Sequence, residues 1–330
     1  MIPTIKDIAA QAGISYATVS RALNGKYGVS PATRRKVLEL AHEMGYRPNA
    51  IAQGLVNRST KTVGLIIPDI TSPFYPRVAL GIEDTMQQAG FSVFLCNTNW
   101  NPRREQSYLE HLTEKQVDGI FISSMARESR EVEQCISRSM PLVYIASIPE
   151  DTKQSYVRTD NARGADLAVS HLLAQGRRRI AFIGSTQEPL SLEDRLRGYR
   201  AALVRENHPI DESLIALGEF REQSGYQSIR DMLSRGVIPD GVFAENDLLA
   251  LGAVQGIQDA GFRVPQDIAV VGFDDIPMAS HPDIALSTVH QPKYRIGQNA
   301  AEVMLQIFEN GTDFTERRVL EPELLIRSSG

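Results

Sequence analysis

Beyond residue 61 the chain alternates short apolar runs with longer amphipathic stretches, and no other feature restricts its fold as much. The runs fall at 63–67, 93–96, 120–122, 142–145, 180–183, 242–244 and 268–271. Helical patterns lie between them, at 77–89, 104–115, 164–175, 195–205, 225–233 and 247–260. Continuous Val- and Ile-rich runs separated by helices predict parallel strands buried on both faces. The pattern has room for two doubly wound units, dividing near residues 160–163. Ligands of open α/β sheets sit beyond the carboxyl ends of the strands, so a binding site is expected in the residues that follow each run.

The first 56 residues follow a different rule. Thr4, with Asp7 three positions on, forms a capping box for a helix carrying Ile5, Ile8, Ala9 and Ala12 at helical spacing, and Gly13 ends it. Ser15 caps a second helix over 16–23, stopped by Asn24-Gly25; Val19, Ala22 and Leu23 are expected to face inward, and Tyr16, Ala17, Ser20 and Arg21 outward. Ser30-Pro31 opens a third, which runs to Met44 and is closed by Gly45, with Val37, Leu40, Ala41 and Met44 as its buried stripe. Two helices around a short glycine turn, the second exposing polar groups near its N-terminus, form the arrangement that sets a recognition helix in the DNA major groove. Tyr16, Ala17 and Arg21 are then the base readers. An arginine meets guanine O6 and N7 bidentately, and an alanine methyl meets a thymine methyl. A plain three-helix bundle with solvated polar faces is the alternative.

The net charge of −5 hides an asymmetry. Residues 1–60 hold eight basic side chains against three acidic ones, whereas the remaining 270 residues hold 27 against 37. A basic head on an acidic body suits a head that faces phosphate backbones. Cys96 and Cys135 form no CxxC pair, so neither a disulfide framework nor a thiolate zinc site is expected, and no metal or other cofactor with them. The start of the chain lacks the basic and apolar regions of a secretory signal, and no stretch approaches the roughly 18 apolar residues of a membrane span, so a cytoplasmic protein without a membrane partner is expected. A search for GxSxG, GxxxxGK[ST], HExxH and GxGxxG finds none, and the six histidines are scattered, which argues against an enzyme.

The run Thr4-Ile5-Lys6-Asp7-Ile8-Ala9, then Ala12 through Asn24, then Gly45-Tyr46-Arg47-Pro48-Asn49-Ala50 and Ala52-Gln53-Gly54-Leu55, closely resembles the head of the LacI/GalR family of bacterial transcriptional repressors. The resemblance implies an N-terminal all-α helix-turn-helix head over 1–48, a hinge helix and linker over 49–60, and an effector-binding and dimerisation body over 61–330. The implied body is periplasmic-binding-protein-like, with two doubly wound parallel-sheet subdomains at 61–160 and 161–289 that share crossovers and the C-terminal segment. Thr4, Ser15, Tyr16, Ala17, Thr18, Ser20, Arg21, Asn24, Asn49, Ala52, Gln53 and Leu55 would then face DNA. Leu55 is similar to the family's minor-groove wedge, on a hinge helix of about two turns, too short to persist without a partner. Gly54 lowers its helix propensity by about 1 kcal/mol relative to Ala.

The same resemblance places Phe74, Tyr75, Ser191, Arg195, Phe220, Asn246, Asp274 and Gln291 in one effector cleft, with Asp275 and Tyr199 as structural neighbours. Aromatic faces, one guanidinium, one carboxylate and two amides suit a sugar or sugar derivative, and a purine is the runner-up. The protein so implied is a homodimeric transcription regulator, a repressor of carbohydrate uptake or catabolism genes. It would bind a pseudo-palindromic double-stranded operator under the control of a small-molecule effector. The chain shows no heptad tail after Ile326, which favours a dimer over a tetramer. Arg47 to Ala50 and Ala146 to Ile148 also resemble catabolite-control regulators of the family, which use a phosphorylated carrier protein. The helix near 297–308 offers such a partner Glu302 and no Lys or Arg. A sugar-binding receptor remains the other reading of the body.

Overall fold

The computed structural model describes residues 3–25, 27–46, 59–137 and 139–330, which fold as two compact units, 1–60 and 61–330. The first unit holds α1 (Ile5–Ala12), α2 (Tyr16–Leu23) and α3 (Pro31–Glu43). Their first turns are satisfied by the expected side chains. The Thr4 amide donates to Asp7 Oδ2 at 2.8 Å, Ser15 Oγ accepts from the Thr18 amide at 3.2 Å, and Ser30 Oγ accepts from the Thr33 amide at 3.1 Å. Gly13, at φ 68°, ends α1 in the left-handed region. Ile8, Ala9, Val19, Ala22, Val37 and Ala41 form the core; Leu23, Leu40 and Met44 are only half-buried against it. Three short helices enclose too little volume to cover them fully.

The second unit contains two six-stranded sheets. The first is built from β1 (Thr62–Ile67), β2 (Ser92–Asn97), β3 (Gly119–Ile122), β4 (Leu142–Ile145) and β5 (Ser155–Thr159). The second holds β6 (Ile180–Ser185), β7 (Ile215–Gly218), β8 (Gly241–Ala244), β9 (Ala269–Asp274) and β10 (Ser287–His290). Late in the chain β11 (Arg317–Leu320) joins the first sheet and β12 (Glu323–Leu325) the second, giving the orders β11-β5-β4-β3-β1-β2 and β12-β10-β9-β8-β6-β7. Every pairing is parallel except β10 with β12. The intervening helices are α4 (Tyr75–Gln88), α5 (Pro102–Glu114), α6 (Ser129–Glu133), α7 (Asn161–Ala174), α8 (Pro189–Arg205), α9 (Glu222–Ser234), α10 (Asp247–Asp259) and α11 (Lys293–Asn310).

The chain crosses between the sheets three times: from β5 to α7, from β10 to α11, and from β11 to β12. The second crossing returns α11 to the first sheet, where Ile296, Ala300, Val303, Met304 and Ile307 share a core with Val63, Leu65 and Phe121. There α11 packs on α4 so closely that a Cβ on Gly297 would stand 2.0 Å from the Val78 carbonyl oxygen, and one on Gly81 2.2 Å from that of Tyr294. Only glycine permits this approach at both positions.

Two expectations need correction. The run at 93–96 is not buried on both faces: β2 is an edge strand paired only with β1, and Phe94 and Leu95 are 48% and 43% exposed. Five strands, β5, β7, β10, β11 and β12, were not signalled by apolar runs. They are short and lie at or next to sheet edges, where one face or one side needs no apolar cover; β11 reads Arg-Arg-Val-Leu. No described helix is long and apolar enough to cross a membrane.

Candidate functional site

Residues that follow strands of both sheets line one cavity of about 400 Å³. All eight side chains expected in a cleft are on its wall. Phe74 and Tyr75 open α4, Ser191 and Arg195 lie on α8, Phe220 follows β7, Asn246 follows β8, Asp274 ends β9, and Gln291 follows β10. Asn246 also caps α10, its Oδ1 accepting from the Leu249 amide at 2.8 Å.

Arg195 organises the deep end and is 5% exposed. Its Nε and Nη2 donate to Asn161 Oδ1 at 3.2 and 3.1 Å, its Nη1 donates to the Glu245 main-chain oxygen at 2.7 Å, and its guanidinium lies 4.0 Å from the Phe273 ring centroid. The carboxylates of Glu245 and Asp274 stand 3.9 and 4.0 Å from it. Asp274 has φ 108°, a region that strains any side chain. It is held there by Gln291 Nε2, which donates to Oδ1 at 2.7 Å, and by the Lys293 ammonium, which donates to the main-chain oxygens of Asp274 and Asp275.

Burial dominates the electrostatics. It pushes the Asp274 carboxyl up to about 6 against the pull of Arg195 and Lys293, and Glu245 up to about 8. Glu245 Oε2 accepts from the Ser185 amide at 2.6 Å, while Oε1 is buried with no hydrogen-bond partner. Asp247, behind Asp274, is also raised well above the usual carboxylate range by burial, although it accepts from the Thr288 hydroxyl at 2.6 Å and the Ile276 amide at 2.7 Å. Tyr199 and Asp275 are tied into the fold. The Tyr199 hydroxyl donates to the Ile180 oxygen at 2.8 Å, and Asp275 pairs with Arg327 at 2.7 Å and His290 at 2.8 Å.

Sequence reasoning missed further residues of the site, among them Asn161, Trp100, Glu188 and Glu245. Asn161, which orients Arg195, follows β5, a strand without an apolar run. Trp100 follows β2, and its ring meets Phe220 at 5.4 Å across the mouth of the cavity. Glu188 follows β6 and accepts from the Tyr75 hydroxyl, joining a residue of the second sheet's layer to one of the first. Glu245 lies one residue before Asn246. The inventory of one carboxylate is therefore too small: Glu188, 7% exposed, shares the cavity wall with Asp274. Both Trp100 and Glu188 follow strands that the sequence pattern did reveal, so the position rule was sufficient to find them.

In the head, Tyr16 (54% exposed), Ala17 and Arg21 present one outward face of α2. Thr4 and Ser15 are exposed cap residues, and Thr18 is half-buried with its amide on Ser15. Ser20, expected outward, is half-buried: the Asn24 side chain folds back over the turn and donates to its main-chain oxygen at 2.9 Å. Asn49, Ala52, Gln53 and Leu55 lie outside the described residues.

Comparison with known proteins agrees with both units. Residues 4–49 match the family of bacterial regulatory proteins, lacI family, and residues 169–330 a periplasmic binding protein-like domain. The chain is 37% identical to catabolite control protein A of Priestia megaterium, covering 94% of this chain and 93% of that protein. Among solved structures it is similar to a lac repressor dimer bound to operator and the anti-inducer ONPF (TM-score 0.90, 27% identity, 100% and 99% of the two chains). It is also similar to a transcriptional regulator CelR–cellobiose complex (TM-score 0.74, 34% identity, 99% and 100%). A helix-turn-helix head and a two-sheet body, matched along their length to regulators of this kind, make the chain a member of the lacI family of bacterial regulatory proteins, a DNA-binding transcription regulator and not an enzyme.

Proposed function

We propose that this regulator represses genes of carbohydrate uptake or catabolism from the cytoplasm, and that a sugar or sugar derivative in the cavity between its two sheets sets its affinity for DNA. The observation that carries this reading is the wall of that cavity. A fixed guanidinium, carboxylates and amides offer hydrogen bonds to hydroxyl groups, and Phe74, Trp100 and Phe220 offer faces for the apolar side of a ring. The similar CelR structure holds cellobiose, and the similar lac repressor dimer holds operator DNA. On DNA, a homodimer presents Tyr16, Ala17 and Arg21 of each copy to one half of a pseudo-palindromic operator.

Thermal unfolding of the full-length protein against pentoses, hexoses, disaccharides, sugar acids, sugar phosphates and purines tests the effector class. A ligand at a hundredfold over its Kd stabilises by about 2.7 kcal/mol, enough to move the melting temperature by several degrees. A sugar that raises it, and that changes operator affinity in a second titration, supports the proposal. A response confined to purines, or no response at all, replaces it.

A further inference from the structure

The cavity carries more negative charge than a hydroxyl-binding site requires. Asp69, Glu188, Glu222 and Asp274 line it, against Arg195 and Arg221. Both guanidinium groups already have acidic neighbours in the fold. Arg195 directs three of its five N–H donors to Asn161 and the Glu245 main chain and lies beside Glu245 and Asp274, and Arg221, at the exposed rim, pairs with Glu219 at 3.1 Å. The carboxylates differ in burial: Glu222 is exposed and Asp69 half-buried, whereas Glu188 and Asp274 are buried. Asp69 Oδ1 closes a local turn by accepting from the Thr71 amide and hydroxyl at 2.8 and 2.7 Å. Glu188 and Asp274 each give one oxygen to the fold, to the Tyr75 hydroxyl and the Gln291 amide, and the second oxygen of each has no fold partner among the described residues.

These two groups are 7% and 8% exposed, and they feel one another: the charge of Glu188 raises the proton affinity of Asp274. A ligand hydroxyl brings one donor to such an oxygen. An ammonium brings three donors and a positive charge, which strengthens each hydrogen bond and relieves the repulsion between the carboxylates. A ligand phosphate or carboxylate meets repulsion on a desolvated wall.

Building on the sugar-effector reading, we propose that Glu188 is a specificity-determining residue that makes this cleft selective for an amino sugar, whose ammonium is held by Glu188 together with Asp274. Because the hydroxyl on Glu188 comes from Tyr75 at the start of α4, the residue that selects the charge also links the two halves of the cleft.

The test is calorimetric titration of the full-length protein with glucosamine and galactosamine, their parent hexoses, their N-acetyl derivatives and the corresponding hexuronates. The expected result is binding of an amine on the order of tenfold or more tighter than its parent hexose, as a charge-assisted hydrogen bond brings, with the hexuronate not binding. The N-acetyl derivative, which keeps the position and loses the charge, binds no better than the parent. Glu188→Gln keeps a hydrogen-bonding oxygen for Tyr75 and should bring amine and hexose to near parity, its folding checked by circular dichroism. A hexose or hexuronate that binds as tightly as the amine overturns the inference and leaves the sugar reading standing. Failure of every sugar overturns both. An unchanged preference in folded Glu188→Gln removes Glu188 as the determinant.

Discussion

The head and the body place their chemistry in opposite environments. On α2 the outward side chains Tyr16, Ala17 and Arg21 are exposed, and none of the three makes a side-chain hydrogen bond to the fold among the described residues. In the cleft Arg195, Glu245 and Asp274 are 5%, 0% and 8% exposed, and each is tied to a neighbour that belongs to the fold. Recognition and stability are thus separable in the head and fused in the body. A substitution at Tyr16 or Arg21 is therefore expected to change DNA binding alone, whereas one in the cleft is expected to change folding as well.

The largest effect should come from the close helix contact that joins α11 to α4. Gly297→Ala places a methyl 2.0 Å from a main-chain oxygen of α4, and a backbone cannot rotate away, so unfolding in denaturant should show a loss of about 3 kcal/mol. Arg195→Ala should cost about 2–3 kcal/mol, because it strands the Glu245 main-chain oxygen and leaves the nearby carboxylates without a counter-charge, and it should abolish the effector response. A variant that loses the response at full stability would break the claim that the body fuses the two.

The pH dependence separates the cleft carboxyls Glu245 and Asp274 from Asp7 of the head by sign. Burial raises Glu245 from 4.5 to about 8, so the folded body keeps a proton that the unfolded chain has released, and stability falls as pH rises from about 4.5 to 8 before levelling. One such proton corresponds to a slope of about 1.4 kcal/mol per pH unit, and Glu245→Gln should remove its share. Asp274, raised from 3.8 to about 6, adds to the fall over the lower part of that range. In the head, Asp7 is lowered by hydrogen bonds from Thr4, so its contribution is present at neutral pH and is lost as pH falls through its folded value. Hydrogen exchange followed separately in the two units should show the body losing stability between about pH 4.5 and 8, while the contribution of Asp7 in the head is lost only at acid pH; a body whose stability is flat over that range would sink the assignment.

Smaller effects belong to the head. Ser30→Ala removes the oxygen that accepts the Thr33 amide at the start of α3 and should cost about 1 kcal/mol of head stability. Arg21→Ala should change stability by less than about 0.5 kcal/mol, yet weaken operator binding by about 1–3 kcal/mol and relax base preference at one position. Unchanged base preference would remove Arg21 from the readers.

What was legible in the sequence tracks where burial leaves a periodic signature. β1, β3, β4, β6, β8 and β9 were found because their apolar residues are continuous, and the caps at Thr4, Ser15 and Ser30 because each residue has one local task. β5 was not: Ser155 and Thr159 are buried polar residues beside a single buried Val157, a pattern that reads as a loop. Helix α8 begins at Pro189, six residues before the expected start at 195, although a proline is well suited to the first helical turn. In the cleft, residues that follow strands were reachable by position. Glu245 directly follows β8 and met the same rule, but nothing in the local sequence marks that its side chain is fully buried beside Arg195 and the Ser185 amide.

The three crossings also govern the order in which the body is able to form as it leaves the ribosome. The strands of the second sheet from β6 to β10 occupy one uninterrupted stretch, 180–290, and that half needs only β12 in addition. The first sheet starts at residue 62, yet its core is closed by Ile296 to Ile307 of α11 and its edge by β11. The earlier-made half therefore waits for the later one: α4 covers part of the core around Val63, Leu65 and Phe121 early, but the cover from α11 comes only when about 240 residues beyond β1 have been made. Synthesis runs from the N-terminus, but the first sheet is completed only by α11 and β11, made after β10, so its half is expected to consolidate last.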